Sequence, residues 1–553
     1  MKALTLLFFL LLTSAIQAQK EDYNHHNHSL HWVEFTDKNN TPYSIFRPQD
    51  FLSARALQRR TTMGIAIEEN DLPITPGYIN QVVALGTPLH GKSKWLNSIA
   101  IYTKDKDLLK QISQLPFVKS VKPLGKFRRV SKPNLKKNRP SVDVSKHEID
   151  YYGLANNQIK MLGGDVLHNY GYTGEGIQVA IFDGGFLDVY RMPVFDSIYS
   201  DNRLLGTHDF VEGDDFVYEG STHGTNVLAC MGSKAPHLIV GTAPDASYYL
   251  FKTEDVRGEF RAEEFNWVAA LEYADSLGVD VINSSLGYTG FNDTTMSYKY
   301  HQLDGKTALS SRGANIGASK GILIVNSAGN EGDGPWHYIG TPADAEGVLS
   351  VAAVRPNGTR ASFSSWGPTP DGRIKPDVAA QGRYTVVASL NKYDVTRTNG
   401  TSFSSPVMAG MVASLKQAHP DKTSEEIKDA IRLSGSISSE PDSSLGYGIP
   451  NFFFAYLTML KASIVIDHKG EMYYTPKPIQ DELHLFIEQR NPAALKVSIY
   501  NKLMEEKFTK TTETKGREIK EVRIPNLADY PSGVYLIKVE INAYPYWLEM
   551  VKE

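Results

Sequence analysis

Residues Gly176–Gly185 read GIQVAIFDGG, an apolar run that ends in an acidic residue followed by two glycines. Two further short runs, Val279–Ile282 and Ile322–Val325, are rich in β-branched residues and lead into Ser- or Gly-containing turns. Such runs are typical of buried strands, and helical patterns separate them. The alternation predicts an α/β fold with a doubly wound, mostly parallel sheet, although short apolar runs by themselves also fit buried helices.

The chain has 553 residues, which is too long for one hydrophobic core, so we expect several domains. Its 58 lysines and arginines nearly balance its 62 aspartates and glutamates. This balance argues against nucleic-acid binding, which usually needs a basic face. The single cysteine, Cys230, excludes an internal disulfide, and we interpret it as a buried packing residue.

The amino terminus has the pattern of a secretion signal. A positive charge at Lys2 precedes the apolar run Leu6–Leu12, and the small residues of Ala15–Ala18 offer a cleavage site. We therefore predict a signal peptide over residues 1–18. A membrane span needs about 20 apolar residues. Neither this run nor any later one is long enough, so we expect a secreted or cell-surface protein without a membrane span.

The pattern changes three times along the rest of the chain. Residues 19–121 mix strands and helices, and a basic, proline-containing stretch over residues 122–147 is typical of an exposed linker that proteases cut easily. The α/β region covers residues 148–463. Residues 464–553 alternate without intervening helices, which predicts a small antiparallel β-domain. Within residues 19–121 we predict three strands and one helix: His31–Phe35, Trp95–Tyr102, Val118–Val121 and Lys106–Leu115.

Three polar residues of the α/β region lie at positions where functional sites commonly form. Asp183 ends the opening strand, at the edge of the sheet where sites form in such folds. His223 lies among the small residues of Ser221–Val227, and Ser402 lies at a helix start within Asn399–Gly410. Taken one at a time, a turn aspartate, a surface or core histidine and a helix-capping serine are the better explanations.

The helix after Ser402 is predicted from apolar residues at helical spacing. Pro406 is expected in its first turn, where a missing N–H costs little. The N–H of Ser402 and the positive end of the helix dipole would then favour negative charge in the site. The apolar positions that indicate this helix are Val407, Met408, Met411, Val412 and Leu415.

Together these residues are far more specific than each alone. Asp183, His223 and Ser402 occur in the chain order of the subtilisin triad. The residues around each of the three resemble sequence signatures of the subtilisin family. Two more segments, Asn283–Gly287 and Ser327–Gly332, resemble further signatures of that family and occur in the right order. The resemblance covers roughly residues 148–463. It implies a serine endopeptidase, a hydrolase that cleaves proteins or peptides.

The resemblance also assigns a role to each matching residue. The family pattern makes Asp183, His223 and Ser402 the catalytic triad, Asn330 the side-chain donor to the oxyanion, and Ser285, Leu286 and Gly287 the strand that pairs with the substrate backbone.

One residue beside the catalytic aspartate departs from the family pattern, and one loop residue is a candidate for substrate selectivity. The family usually has Ser or Thr after the catalytic aspartate, whereas this chain has Gly184. Glu331 is a weak candidate for a pocket rim that favours basic residues, and an exposed loop residue is the plainer interpretation. Calcium sites are common in the family, so the resemblance leaves structural calcium open, but no calcium ligands can be assigned here residue by residue. We predict no other cofactor.

The flanking regions resemble accessory domains of such proteases. Residues 19–121 are similar in position and pattern to the prosegment that assists folding and blocks the cleft, which implies a zymogen whose own prosegment is a partner. The segment Pro478–Glu553 resembles the C-terminal sorting domain of proteins exported by the type IX route in Bacteroidetes, which implies a secretion machinery as a second partner. The glycine that usually follows the central Tyr500-Asn501 pair is absent.

Three alternatives were weighed. A dead protease used as a binding module is disfavoured by the intact Asp183, His223, Ser402 and Asn330. A serine esterase needs a Gly-x-Ser-x-Gly elbow with the histidine last in sequence, and neither holds here. The histidines 25, 26, 28 and 31 could bind a metal, but a His-rich flexible terminus needs no ligand.

Overall fold

The computed structural model describes residues 29–126, 150–390, 394–459, 464–466, 472–474, 482–489, 491–516 and 518–552. The predicted signal peptide, most of the predicted linker and the histidines at 25, 26 and 28 lie outside these residues.

Seven parallel strands form the central sheet. Successive residues of the interior strand Gln178–Asp183 enter different cores, Val179 and Ile181 on one face and Ala180 and Phe182 on the other. Both faces are therefore buried, which explains the unbroken apolar runs. The predicted doubly wound α/β fold is confirmed. From one edge to the other, the strands are Val378–Gln381, Val348–Val354, Leu323–Ser327, Val281–Ser284, Gln178–Asp183, Ser247–Lys252 and Leu204–Asp209.

Helices cover both faces of this sheet. His223–Gly232 and Thr401–Ala418 contribute to the core on one face, whereas Ala262–Leu277 and Leu309–Ser319 contribute to the core on the other. The remaining helices of the α/β region are Asn156–Lys160, Gly164–Asn169, Asp196–Ser200, Ser424–Leu433 and Phe452–Met459. Cys230 lies in the helix His223–Gly232 and is fully buried, and burial raises the pKa of its thiol.

The amino-terminal region is a small α+β unit. Its antiparallel strands, in sheet order, are Leu89–Ser93, Ser98–Tyr102, Ser29–Phe35 and Val118–Lys126. Its helices are Ala54–Thr62, Pro76–Ala84 and Lys106–Ser113. The prediction of a strand from Trp95 was wrong by three residues. The Trp95 N–H donates to Glu272 and Asn97 has a φ of 44°, so a turn precedes the strand.

This unit packs on the helix Ala262–Leu277. The Glu272 carboxylate accepts the backbone N–H groups of Lys94 and Trp95, at 2.6 and 3.1 Å. Asp275, fully buried, pairs with Arg59 at 2.6 Å and Arg60 at 2.9 Å. Charges this deeply buried are stable only with such partners, so the two regions meet through matched charges as well as apolar contacts.

The carboxyl-terminal region forms two four-stranded sheets around one apolar core. One sheet has the order Glu506–Lys515, Pro492–Asn501, Gly533–Ile541, Tyr544–Lys552 and is antiparallel throughout. The other has the order Met472–Tyr474, Ile464–Ile466, Leu483–Gln489, Glu518–Ile524 and contains one parallel pair, between its second and third strands. In the part of the chain described here, no helix is long and apolar enough to cross a membrane.

Candidate active site

Asp183 is the last residue of the interior strand Gln178–Asp183 and is 1% exposed. The N–H of Gly184 donates to its Oδ1 at 2.8 Å. Its Oδ2 lies 2.8 Å from Nδ1 of His223. Gly185 follows with a φ of 137°, and a Cβ there would lie 1.9 Å from the carbonyl oxygen of Glu219. Only glycine fits this turn, which sets the aspartate at the strand end.

His223 is the first residue of the helix His223–Gly232, and its side chain is 34% exposed. Burial by itself lowers the pKa of the imidazole, but the Asp183 carboxylate opposes this, so the pKa lies above its usual value of 6.5. A Cβ at Gly224 would lie 2.5 Å from the Gly185 carbonyl oxygen. The small residues after the histidine therefore allow the two backbones to approach, as the sequence suggested.

Ser402 is the second residue of the helix Thr401–Ala418 and is 8% exposed. Its Oγ donates to the carbonyl oxygen of Ser285 at 3.3 Å. The ring of the next residue, Phe403, lies 5.5 Å from the His223 ring, measured between centroids. The structure thus gathers the serine, the histidine and the segment Ser285–Gly287 at one end of the sheet.

Asn330 lies just after the strand Leu323–Ser327, beside the start of the Ser402 helix. Its Oδ1 accepts from the N–H of Thr401 at 2.9 Å and from the Thr401 hydroxyl at 3.1 Å. Because the oxygen is used in this way, the Nδ2 group is left as a donor. An amide donor next to Ser402 suits a negative charge that develops on a carbonyl under attack.

The segment Ser285–Gly287 follows the strand Val281–Ser284 and forms one side of the site. The Leu286 carbonyl accepts from Asn326 Nδ2 at 2.9 Å, which fixes the segment to the neighbouring strand. Gly287 is exposed, and no described residue forms a hydrogen bond with its backbone N–H or C=O. An extended peptide can therefore pair with this segment.

Comparisons with known proteins agree with this geometry. The Subtilase family (Peptidase S8) matches residues 174–448. Subtilisin of Bacillus pumilus is 31% identical over 301 residues, which cover 54% of this chain and 94% of that protein. The chain belongs to the subtilase family.

Other relatives cover the same part of this subtilase. Subtilisin E of Bacillus subtilis (strain 168) is 32% identical over 284 residues, which are 51% of this chain and 64% of that protein. The chain therefore spans less than two thirds of that relative. The crystal structure of MycP1 with the N-terminal propeptide removed has a TM-score of 0.43 and 24% identity, and covers 54% of this chain and 96% of that one.

The amino-terminal region of this subtilase is also a known domain. The Peptidase S8 propeptide domain of Bacteroidota matches residues 30–140. This confirms the expectation of a propeptide and of a zymogen. The structure shows that its last strand runs to Lys126, five residues into the predicted linker. The sorting role of the carboxyl-terminal region stays a prediction.

The structure explains why Gly184 replaces the Ser or Thr common in subtilases. A Cβ at this position would lie 2.9 Å from Cγ1 of Val256 and 3.6 Å from Cβ of Glu254. The loop after the strand Ser247–Lys252 packs so closely on the backbone here that a side chain would displace it. The substitution therefore belongs to the packing of this loop and leaves the Asp183 carboxylate in place.

Sequence reasoning missed three residues of this site and misplaced one. Thr401 orients Asn330, and Asn283 joins the substrate segment to the Ser402 helix by accepting from Ser405 Oγ at 2.9 Å and donating to Ser285 Oγ at 3.1 Å. Asn283 belongs to the segment Asn283–Gly287, which resembles a family signature, so the sequence did contain a signal for it. Glu254, beside Gly184, had none.

The misplaced residue is Pro406, which was expected in the first helical turn. The helix begins at Thr401, so Pro406 lies in its second turn, and the N–H that it lacks is one that would bond within the helix.

In the described part of the chain, no group of three or more His, Cys, Asp or Glu side chains is arranged to hold an ion. Glu331, the weak candidate for a basic-specific rim, is exposed.

Proposed function

We propose that this subtilase is a serine endopeptidase that hydrolyses peptide bonds in proteins through Asp183, His223 and Ser402. The observation that carries the proposal is the 2.8 Å contact between Asp183 Oδ2 and His223 Nδ1. This contact fixes the imidazole tautomer that has its proton on Nδ1 and leaves Nε2 free to accept one.

In the proposed mechanism, His223 takes the proton of Ser402 Oγ while that oxygen attacks the peptide carbonyl. Asp183 keeps the imidazole oriented and stabilises its charged form. His223 then gives the proton to the leaving amine. Water attacks the resulting acyl-enzyme, with His223 again acting as the base, and the serine is restored.

The negative oxygen of the tetrahedral intermediate is bound by two donors. One is the backbone N–H of Ser402, which lies at a helix start where no intrahelical acceptor exists. The other is Asn330 Nδ2, held in place because Thr401 occupies Oδ1. Both donors are fixed before the reaction, so their stabilisation needs no rearrangement in the transition state.

Ser285, Leu286 and Gly287 would bind an extended substrate through its backbone. This mode tolerates many sequences, so it favours protein substrates of varied composition. Selectivity must then come from side chains around the segment.

Labelling with a fluorophosphonate probe tests the proposal, because the probe reacts only with an activated serine. We expect labelling of the wild type at Ser402, its loss in Ser402→Ala, and loss of casein hydrolysis in the same variant with an unchanged circular dichroism spectrum. An unlabelled, folded wild type would instead support a dead protease that serves as a binding module.

We also propose that the chain is exported and acts outside the cell or at its surface. The apolar amino terminus supports a signal peptide over residues 1–18, and the propeptide match supports a precursor. The boundaries 19–121, 122–147, 148–463 and 464–553 remain our proposed division. In it, the carboxyl-terminal β-domain would address the chain to a type IX secretion machinery.

A further inference from the structure

Glu254 stands beside the triad, yet the proposed mechanism does not use it. It lies two residues beyond the strand Ser247–Lys252, whose last residue pairs with Asp183. Its Cβ is 3.6 Å from where a Cβ at Gly184 would be. The side chain is half-buried, so it forms part of the wall of the cleft next to the triad.

Only one oxygen of the Glu254 carboxylate is held. Oε1 accepts from the Tyr288 hydroxyl at 2.6 Å and from the Thr253 hydroxyl at 3.1 Å. Oε2 has no hydrogen-bond partner among the described residues. It is also not among the buried polar atoms that lack such a partner, so it is exposed to solvent. Tyr288 directly follows the segment Ser285–Gly287. The carboxylate is therefore fixed on the side of the cleft where a substrate would lie, with one acceptor open.

Among the described residues, no lysine, arginine or histidine forms a salt bridge with this carboxylate. The basic side chains of the same region are paired elsewhere, Lys252 with Asp209 at 2.8 Å, Arg257 with Asp255 at 2.6 Å and Arg261 with Glu264 at 3.7 Å. Burial raises the pKa of Glu254, and the negative charges of Glu259 and Asp183 raise it further. An approaching cation would supply the missing opposite charge and favour the ionised form.

The prosegment brings an independent indication of what binds here. Its last strand, Val118–Lys126, places Leu124 in the same apolar cluster as Phe260 and Tyr288. A Cβ at Gly125 would lie 3.5 Å from Cβ of Phe260, so the strand ends beside the loop that contains Glu254. The residues that follow in the sequence include Arg128 and Arg129. The described part of the prosegment therefore ends beside this wall, and the sequence that follows it is basic.

We propose that Glu254 is a specificity-determining residue that selects a lysine or arginine side chain on the acyl side of the cleaved bond. The ammonium or guanidinium group donates to Oε2 while Tyr288 holds Oε1. A charge-assisted hydrogen bond of this kind is stronger than one between neutral groups. The inference rests on the proposed peptidase function and adds the substrate class to it.

Matched peptides test this inference. Fluorogenic peptides with one leaving group carry lysine, its neutral near-isostere norleucine, or glutamate at each of the four positions before the cleaved bond. Wild type should favour lysine over norleucine at one position, with kcat/KM higher by on the order of tenfold, the size of one charge-assisted hydrogen bond. Glu254→Gln should bring that ratio close to one, because Gln still accepts from Tyr288 but carries no charge to pair with lysine.

Charge reversal separates selection from a structural role. Glu254→Lys should invert the order, so that glutamate exceeds lysine at the same position, whereas a residue that only supports Tyr288 would give equal losses on all peptides. Glu346→Gln removes an exposed carboxylate beside the helix Ser424–Leu433 and should keep the wild-type ratio. Glu331→Gln should keep it too.

The results distinguish this inference from the proposed function. Equal cleavage of the lysine and norleucine peptides by wild type overturns the role of Glu254 while Ser402 still labels with the fluorophosphonate probe. So does a preference that survives Glu254→Gln and Glu254→Lys, or one that disappears in Glu331→Gln alone. A wild type whose Ser402 does not label overturns the peptidase and this inference together.

Discussion

Ser285 Oγ donates a hydrogen bond of 2.9 Å to the backbone carbonyl of Ser402. In an uninterrupted helix this carbonyl would accept the N–H of the residue four positions further on. That residue is Pro406, which has no N–H. The proline therefore leaves the carbonyl of Ser402, the proposed nucleophile, without its helical donor, and Ser285 of the proposed substrate-binding segment supplies one. This bond holds the helix start that contains Ser402 against the segment Ser285–Gly287.

The first prediction concerns this bond. Ser285→Ala leaves a buried carbonyl without a donor, which should lower the free energy of unfolding by about 1–3 kcal/mol. Urea unfolding in a Ser402→Ala background measures the loss without self-digestion. Pro406→Ala restores an N–H to the helix, so the same serine substitution should cost less in that background. Equal costs with and without the proline would show that Ser285 does not substitute for the missing N–H.

The second prediction concerns the oxyanion donor. Asn330→Ala should lower kcat by roughly 10²–10³ with little change in KM, a range taken from the equivalent donor of subtilisin, because the donor acts on charge that exists only in the transition state. Steady-state kinetics on one peptide measures both constants. Thr401→Val keeps the backbone donor to Asn330 and should cost far less. An effect of Asn330→Ala confined to KM would contradict the assignment.

Features of the fold and the site that depend on neighbouring residues could be predicted from the sequence, whereas features that depend on contacts between distant residues could not. The strand ending in Asp183 and the helix starting near Ser402 follow from local apolar patterns, so the sequence predicted both. The link between Ser285 and Ser402 joins residues 117 positions apart, and the helical position of Pro406 depended on where the helix begins.

Other features could not be predicted because they depend on the packing of distant loops. The pattern around Trp95 predicts a strand, but the Trp95 N–H donates a hydrogen bond to the carboxylate of Glu272, which lies in another region of the chain. Glu254 carries no local signal, because the role that we propose for it depends on its position beside Gly184 and Tyr288 and on the absence of a salt bridge to it among the described residues.

The third prediction concerns pH. His223 acts as a base only when neutral, and its pKa lies above 6.5 because the Asp183 carboxylate stabilises the charged form. Activity should therefore fall as the pH drops through that raised pKa, and the midpoint of kcat/KM should lie above 6.5. Asp183→Asn removes the stabilising charge, so any residual activity should have a lower midpoint as well as a much smaller kcat. A profile that stays flat to about pH 4 would contradict a histidine base.

The fourth prediction concerns maturation. The propeptide domain packs on the subtilase domain through buried pairs such as Asp275 with Arg59 and Arg60. The basic stretch at residues 122–147 connects the two, and its attachment gives it a high effective concentration at the active site. If the enzyme cuts itself there, Ser402→Ala should accumulate as the longer precursor. Mass measurement of protein from a host without other secreted proteases tests this.

The same interface predicts what happens after the cut. The freed propeptide should remain bound and inhibit, because separation would break charge pairs and expose apolar surface together. Residues 19–140 made separately should therefore inhibit the mature enzyme. Asp275→Ala should weaken that inhibition by about 3–5 kcal/mol, since it leaves two arginines of the interface without their carboxylate. Inhibition constants for the two enzymes give the comparison. A new amino terminus between residues 122 and 150 in Ser402→Ala would show that another protease makes the cut, and the inhibition measured with the separate propeptide would still report on the interface.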